Sequence, residues 1–266
     1  MIQEFTNYLK TVRGYSHLTC EEYRKDLTGF VVWLKATTDI RRFGDVNQET
    51  VQEWVADLVA AGLQATTIKR RVSALRSLYT YARGRGLTKT NPAQYVSTPK
   101  KARRLPKLAD TTAIRSCLYN PYVEPSTKLA VALLSETGMR IGELCTVKTT
   151  DINKSTHSIR ITGKGNKERY VYYGKHTERL LDSVANDGGR IIKTDTRETR
   201  HDVYKAIGST PHNVRHLYAT TMLNNGADIK TISQLLGHES VKTTEIYSRM
   251  DTARISSTYN KYQPIY

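Results

Sequence analysis

Six side chains of types that handle oxyanions and protons fall in four short segments of this 266-residue chain. Thr137-Gly138-Met139-Arg140-Ile141-Gly142-Glu143-Leu144 puts an arginine at the start of a predicted helix. Gly163-Lys164-Gly165 puts a lysine at the tip of a predicted hairpin. Pro211-His212-Asn213-Val214-Arg215-His216 sets His212 and Arg215 at i and i+3, on one helical face. Leu236-Gly237-His238 is followed nine residues later by Tyr247. Guanidinium and ammonium groups neutralise oxyanions, imidazoles move protons, and a phenol that loses its proton is a nucleophile. Taken singly, each has an ordinary reading. Arg140 suits a surface ion pair, Lys164 an exposed turn, and Tyr247, one of 17 tyrosines, a core. His212 and His216, at i and i+4, have the spacing of two zinc ligands. The glutamate that follows the first histidine in hydrolytic zinc helices is absent, however, and no third ligand stands out. The glycines around Lys164 form no phosphate loop, since neither GxxxxGK(S/T) nor GxGxxG is present.

Composition narrows the partner. Lys and Arg number 41 against 25 Asp and Glu, a formal net charge of +16. Such a field suits a polyanion, and duplex DNA is the densest common one. Cys20, Cys117 and Cys145 lie far apart without a CxxC pair, which argues against a zinc module and a secreted disulfide scaffold. No apolar run approaches the ~20 residues needed to cross a bilayer, and the N-terminus shows no signal-peptide pattern. The expectation is a reduced, cytoplasmic protein with no membrane partner.

The elements that must position these residues divide into two domains. Residues 1–97 carry 14 basic and 9 acidic side chains, residues 98–107 carry five cations and two prolines, and residues 108–266 carry 22 and 16. The middle segment reads as an extended basic linker, with Lys100, Lys101, Arg103 and Arg104 placed to follow a DNA backbone. The first domain reads as all-helical. One helix starts near Thr19, where Thr19 and Glu22 form a capping box, and carries Tyr23, Leu27, Phe30, Val31 and Leu34. A second covers about 49–61. A third, Thr66 to Arg83, sets Ile68, Val72, Leu75, Tyr79 and Ala82 on an apolar stripe. Lys69, Arg76 and Arg83 recur every seven residues on another face, widened by Arg70 and Arg71. A solvated surface would read the same way; with the charge excess, these five become candidate DNA contacts. The second domain mixes helices over 126–136, 141–147, 213–224, 228–236 and 240–250 with strands His157–Thr162 and Arg169–Tyr173.

Together the segments resemble the tyrosine recombinase family, which includes bacterial Xer proteins and phage integrases. Its TGxRxxEL, GKG, HxxRH and LGH…TT…Y motifs appear as Thr137–Leu144, Gly163–Gly165, His212–His216, and Leu236–His238 with Thr243, Thr244 and Tyr247. Thr67-Ile68, Leu75-Arg76 and Asn91-Pro92-Ala93 are similar to phrases of the family's core-binding domain, so the likeness covers nearly the whole chain. Two departures stand out. Only 47 residues separate Lys164 from His212, short for the family, and no added N-terminal domain of the arm-site-binding type precedes the first helix.

The resemblance implies a mainly α fold with a small β-sheet or hairpin in the C-terminal domain. An all-helical core-binding domain, 1–97, would precede an α+β catalytic domain, 108–266. It implies site-specific recombination of double-stranded DNA through a 3′-phosphotyrosyl bond at Tyr247 and a Holliday junction, without metal, ATP or other cofactor. Arg140 and Arg215 would clamp the phosphate, His238 would add a hydrogen bond, His212 would accept the phenol proton, and Lys164 would protonate the leaving oxygen. Glu143 would hold Arg140, and His216 would orient Arg215 or its helix. A dimer on each site, a synaptic tetramer and accessory proteins are the implied partners. The tail beyond Tyr247, with Ile255, Tyr259 and Tyr262 at helical spacing, would dock on a neighbouring protomer or in cis. A type IB topoisomerase-like relaxer and a catalytically dead DNA-binding protein remain the alternatives at this point.

Overall fold

A computed structural model describes residues 1–100, 106–163, 168–183 and 188–237. Lys101, Arg103, Arg104, Lys164, His238 and Tyr247 lie outside the described residues, as do the predicted helix 240–250 and the tail. The chain forms two compact units, Met1–Arg103 and Arg104–Tyr266, and their division falls inside the basic segment 98–107.

In the first unit, four helices enclose an aromatic core: α1 (Ile2–Thr11), α2 (His17–Thr37), α3 (Gln48–Ala60) and α4 (Ala65–Gly84). Phe30 and Trp54 meet edge to face at 4.8 Å, and the Tyr79 hydroxyl donates to the Phe43 carbonyl at 2.9 Å. The predicted α4 stripe of Ile68, Val72, Leu75, Tyr79 and Ala82 is fully buried, and Ala74 and Leu78 widen it. α1 went unread in the sequence.

Two sequence readings change here. α2 is capped by Ser16, whose hydroxyl accepts the Thr19 N–H at 3.2 Å, so the Thr19–Glu22 capping box is not its start. Glu22 instead pairs with Lys25 and Arg70. The cationic face of α4 is also narrower than its spacing suggests. Arg70 donates to buried Asp26, and the Arg71 Nε lies 3.6 Å from the same carboxylate. Arg76 donates to the Ala93 and Val96 carbonyls at 3.0 and 3.4 Å, while the Asn91 amide donates to the Arg76 carbonyl at 2.9 Å. Arg70, Arg71 and Arg76 are thus drawn to partners within the unit, because burying Asp26 and the 91–96 loop carbonyls leaves acceptors that need donors. Lys69, Arg83 and Lys100 are exposed.

The second unit is built around α6 (Pro125–Thr137), whose Leu129–Leu134 run is buried on every side. α5 (Thr111–Tyr119), α8 (Lys175–Asp182), α9 (Thr196–Ile207) and α10 (Pro211–Asn224) pack against α6, and the short α7 (Ile141–Leu144) follows it. α11 (Ile229–Leu236) packs on α10 and on the sheet. The sequence reading lacked α5, α8 and α9, and the last two lie in the short stretch between Lys164 and His212. It also ran α7 three residues too far. The strands β1 (Ile152–Asn153), β2 (Ser158–Thr162) and β3 (Glu168–Tyr172) form an antiparallel sheet in that order. β2 and β3 make the expected hairpin, from Ser158 opposite Tyr172 to Thr162 opposite Glu168. Ile159, Ile161 and Val171 fill its buried face.

α6 ends where Gly138 takes φ +61°, a conformation that costs other residues about 1–2 kcal/mol. A Cβ there would also overlap the Tyr218 ring and approach Leu236 Cδ2 to 2.9 Å. Gly138→Ala should therefore cost about 3 kcal/mol in denaturant unfolding. Gly208→Ala, at φ +62° with open space around it, should cost only about 1 kcal/mol. Equal losses in the two variants would show that close packing at Gly138 contributes nothing.

Candidate active site

The site gathers where α6, α7, α10, α11 and β3 meet, and each of its side chains is placed by a local rule. α7 starts at Arg140, whose backbone N–H donates to Glu143 Oε2 at 2.7 Å. The same carboxylate receives the Arg140 side chain, Nη1 to Oε1 at 2.9 Å. Glu143 thereby satisfies one of the N–H groups a helix start leaves open, and holds the guanidinium above that start. Pro211 at the first turn and Thr210, whose hydroxyl accepts the Asn213 N–H at 3.3 Å, fix the start of α10. That start carries His212, Arg215 and His216 into the same region.

Arg215 is 3% exposed, so its charge needs close partners. Nη1 donates to the Gly138 carbonyl and Nη2 to the Leu236 carbonyl, both at 2.7 Å. These bonds tie the end of α6 to the end of α11 and use two of the guanidinium's five N–H donors. The Arg140 side chain is 43% exposed, and its Nη2 reaches the Gly237 carbonyl at 3.5 Å. The two arginines therefore approach successive carbonyls at the end of α11, where the segment leading to His238 and Tyr247 leaves the described residues.

A third arginine completes this arrangement, and the sequence reading missed it. Arg169 of β3 grips Glu143 with both ends of its fork, Nη1 to Oε1 at 3.0 Å and Nη2 to Oε2 at 2.9 Å. Its Nε donates to the Leu235 carbonyl at 2.9 Å. A signal for it did exist. In β3 the alternation that turns Val171 inward also turns Arg169 inward, so a charge stands on the buried face opposite Ile161. A cation at such a position requires a buried anion. Burial alone would raise the Glu143 carboxyl, but hydrogen bonds from Arg169 and Arg140 outweigh it and hold the group below the usual carboxylate range.

The two histidines stack edge to face, with ring centroids 4.2 Å apart. Burial, then the charges of Arg215 and Arg140, hold His212 below the ordinary histidine value, so it is neutral at pH 7. His216 is pushed down to about 4 by burial, by His212 and by Arg215. His216 thus sits against the His212 ring and in the field of Arg215. Among the described residues, no group of three His, Cys, Asp or Glu side chains is placed to hold a metal ion.

Comparison with known proteins fits this geometry. The Phage integrase family model matches residues 103–254, and that of the Phage integrase, N-terminal SAM-like domain matches residues 2–86. The chain is similar to tyrosine recombinase XerC of Listeria welshimeri, 31% identical over 291 residues, covering 98% of this chain and 97% of that protein. It is also similar to tyrosine recombinase XerD of Halalkalibacterium halodurans, 29% identical over 290 residues, covering 99% and 97%. Among solved structures, its fold is like that of a lambda integrase dimer bound to a COC′ core site, with TM-score 0.74, 19% identity and coverage of 100% and 97%. It is also like that of a lambda integrase tetramer bound to a Holliday junction, with TM-score 0.71, 19% identity and coverage of 90% and 76%. The chain belongs to the phage integrase family of tyrosine recombinases. It is accordingly a site-specific recombinase that cleaves and rejoins DNA. No described helix is long and apolar enough to cross a membrane.

The low value of His216 has a thermodynamic consequence. The folded protein binds fewer protons there than the unfolded chain between about pH 6.5 and 4. Stability from a neutral His216 is full above pH 6.5 and is lost as the pH falls towards 4. The stability difference between wild type and His216→Asn should therefore shrink over that window in urea titrations. A difference independent of pH would show that His216 is not held neutral by its surroundings.

Proposed function

We propose that Arg140, Arg215 and His212 surround a scissile phosphate of duplex DNA and that Tyr247 attacks it. The observation that carries this reading is the convergence of two anchored guanidiniums beside a neutral imidazole, at the root of the segment bearing His238 and Tyr247. Attack on a phosphodiester adds charge to oxygens that are already negative. Pre-placed guanidiniums stabilise that charge without reorganising during the reaction. Arg140, the more exposed fork, faces the phosphate, and Arg215 supports it from the buried side.

In the proposed step, the Tyr247 oxygen bonds to phosphorus while the bond to the 5′ oxygen breaks. The phenol has an ordinary pKa of about 10 and must lose its proton. His212 takes it, and its depressed pKa leaves it unprotonated and ready at pH 7. Lys164, in the segment joining β2 to β3, gives a proton to the departing 5′ oxygen, and His238 hydrogen-bonds a phosphoryl oxygen. The 3′-phosphotyrosyl bond conserves the energy of the linkage, so rejoining needs no nucleotide. The guanidiniums supply the charge that metal ions supply in other phosphoryl transfers. Lys69, Arg83, Lys100, Lys101, Arg103 and Arg104 bind the DNA backbone. The assembly, by analogy with the lambda integrase dimer and tetramer, is a dimer on each site and a tetramer at the Holliday junction. Accessory proteins would set the direction of the reaction.

The test is a nicked suicide duplex, incubated in EDTA without nucleotide and run on a denaturing gel. Wild type should give a protein–DNA adduct, and Tyr247→Phe should give none while binding the duplex within about twofold, because only the nucleophilic oxygen is lost. An adduct with the Phe variant would move the nucleophile to another tyrosine. Dependence of the wild-type adduct on added metal would overturn the metal-free reading.

A further inference from the structure

We infer that Arg169 is a positioning residue for strand cleavage: it keeps the Arg140 charge available to the phosphate and fixes the end of α11, from which the His238–Tyr247 segment departs. The inference rests on the proposed function, in which Arg140 faces the scissile phosphate.

Glu143 accepts from Arg140 N and Nη1 and from Arg169 Nη1 and Nη2, so each carboxylate oxygen receives two donors. Two guanidiniums around one carboxylate leave a net charge of +1. Without Arg169, Arg140 and Glu143 would sum to zero, so Arg140 would bring no net charge to an incoming phosphate. The Arg169 and Glu143 side chains are only 12% and 7% exposed, so water screens their interaction weakly. Arg140, at 43%, is the member that opens to solvent. Arg169 therefore neutralises Glu143 from the buried side and leaves Arg140 with an uncompensated charge.

Placement gives an independent argument. The Arg169 Nε holds the Leu235 carbonyl, while Arg215 and Arg140 hold the next two, at Leu236 and Gly237. Gly237 turns the chain at φ +64°, and a Cβ there would lie 2.9 Å from Arg169 Nη1 and 3.0 Å from its Cζ. The turn out of α11 thus runs close beneath the Arg169 fork, and a Cβ at Gly237 would push that fork from its place. Arg169 is also the second residue of β3, directly after the segment that contains Lys164. One side chain so ties the strand after that segment to the Arg140 helix and to the root of the nucleophile segment.

The experiment compares Arg169→Gln, Arg169→Lys and wild type on two suicide duplexes. One has an ordinary scissile phosphate. The other has a methylphosphonate, in which a methyl group replaces one non-bridging oxygen and removes the negative charge. Adduct formed by wild type on the ordinary duplex tests the proposed function itself, and its absence would defeat that reading rather than this one. With wild type active, Arg169→Gln should bind DNA normally but cleave the phosphate about a hundredfold more slowly. On methylphosphonate its deficit relative to wild type should fall to about threefold, the part due to placement. Arg169→Lys keeps the charge without the fork and should stay within about tenfold of wild type on the phosphate. If Arg169→Gln does not melt cooperatively, the Lys variant decides: it keeps the charge and loses only the fork, so a small deficit equal on the two duplexes supports the inference, and one that shrinks on methylphosphonate overturns it. Equal deficits of Arg169→Gln on both duplexes, or its cleaving the phosphate at the wild-type rate, would overturn it.

Discussion

Three consecutive carbonyls at the end of α11, on Leu235, Leu236 and Gly237, receive hydrogen bonds from three arginines that arrive from three other elements. A helix end leaves its last carbonyls without intrahelical partners and concentrates partial negative charge there. Cations are therefore stable at this point, and the chain supplies them from β3, α10 and the start of α7. The rest of the catalytic unit is arranged so that these side chains can reach. α6 stops at Gly138 to offer a further carbonyl to Arg215, and the β2–β3 hairpin brings an inward-facing arginine to the same place.

Glu143 keeps this concentration of cations from repelling itself. Three guanidiniums within one small region would raise one another's energy, and the carboxylate lies against two of them. The cluster still carries a net positive charge, which in the proposed function an incoming phosphate diester would complete. In that proposal binding and catalysis share the incompleteness, since charge added to the phosphoryl oxygens during attack would be met by groups already in position. The neutral histidines belong to the same field. Burial lowers the pKa values of both, and the cost of adding a cation beside Arg215 lowers them further. An imidazole kept neutral in this way is suited to accept a phenol proton.

The order and spacing of the motifs single out Arg140, His212 and Arg215, and the structure brings these three together, while Lys164, His238 and Tyr247 lie outside the described residues. The hairpin was legible from alternation. α1, α5, α8 and α9 were not read, and neither was the two-residue β1, whose length is too short for any periodicity. α6 was read as a helix, but its role as the centre of the unit was hidden because its Leu129–Leu134 run is apolar on all sides. A period of seven finds a face but not the buried Asp26 or the 91–96 carbonyls that claim Arg70 and Arg76. Arg169 belongs to none of the four motifs, and only its register on β3, opposite buried Ile161, marks it. On α4 tertiary partners decided the case, and a single sequence does not display them.

The central claim is that a buried carboxylate organises the arginines of the site, and Glu143→Gln tests it most directly. The change is nearly isosteric but leaves Arg140 and Arg169 facing a neutral amide that presents only one acceptor oxygen. Urea unfolding at pH 7 should show a loss of about 3 kcal/mol, the usual consequence of removing one partner from a buried ion pair. A variant that unfolds at the wild-type urea concentration would contradict the account, because the arginines would then be held without the charge assigned to gather them.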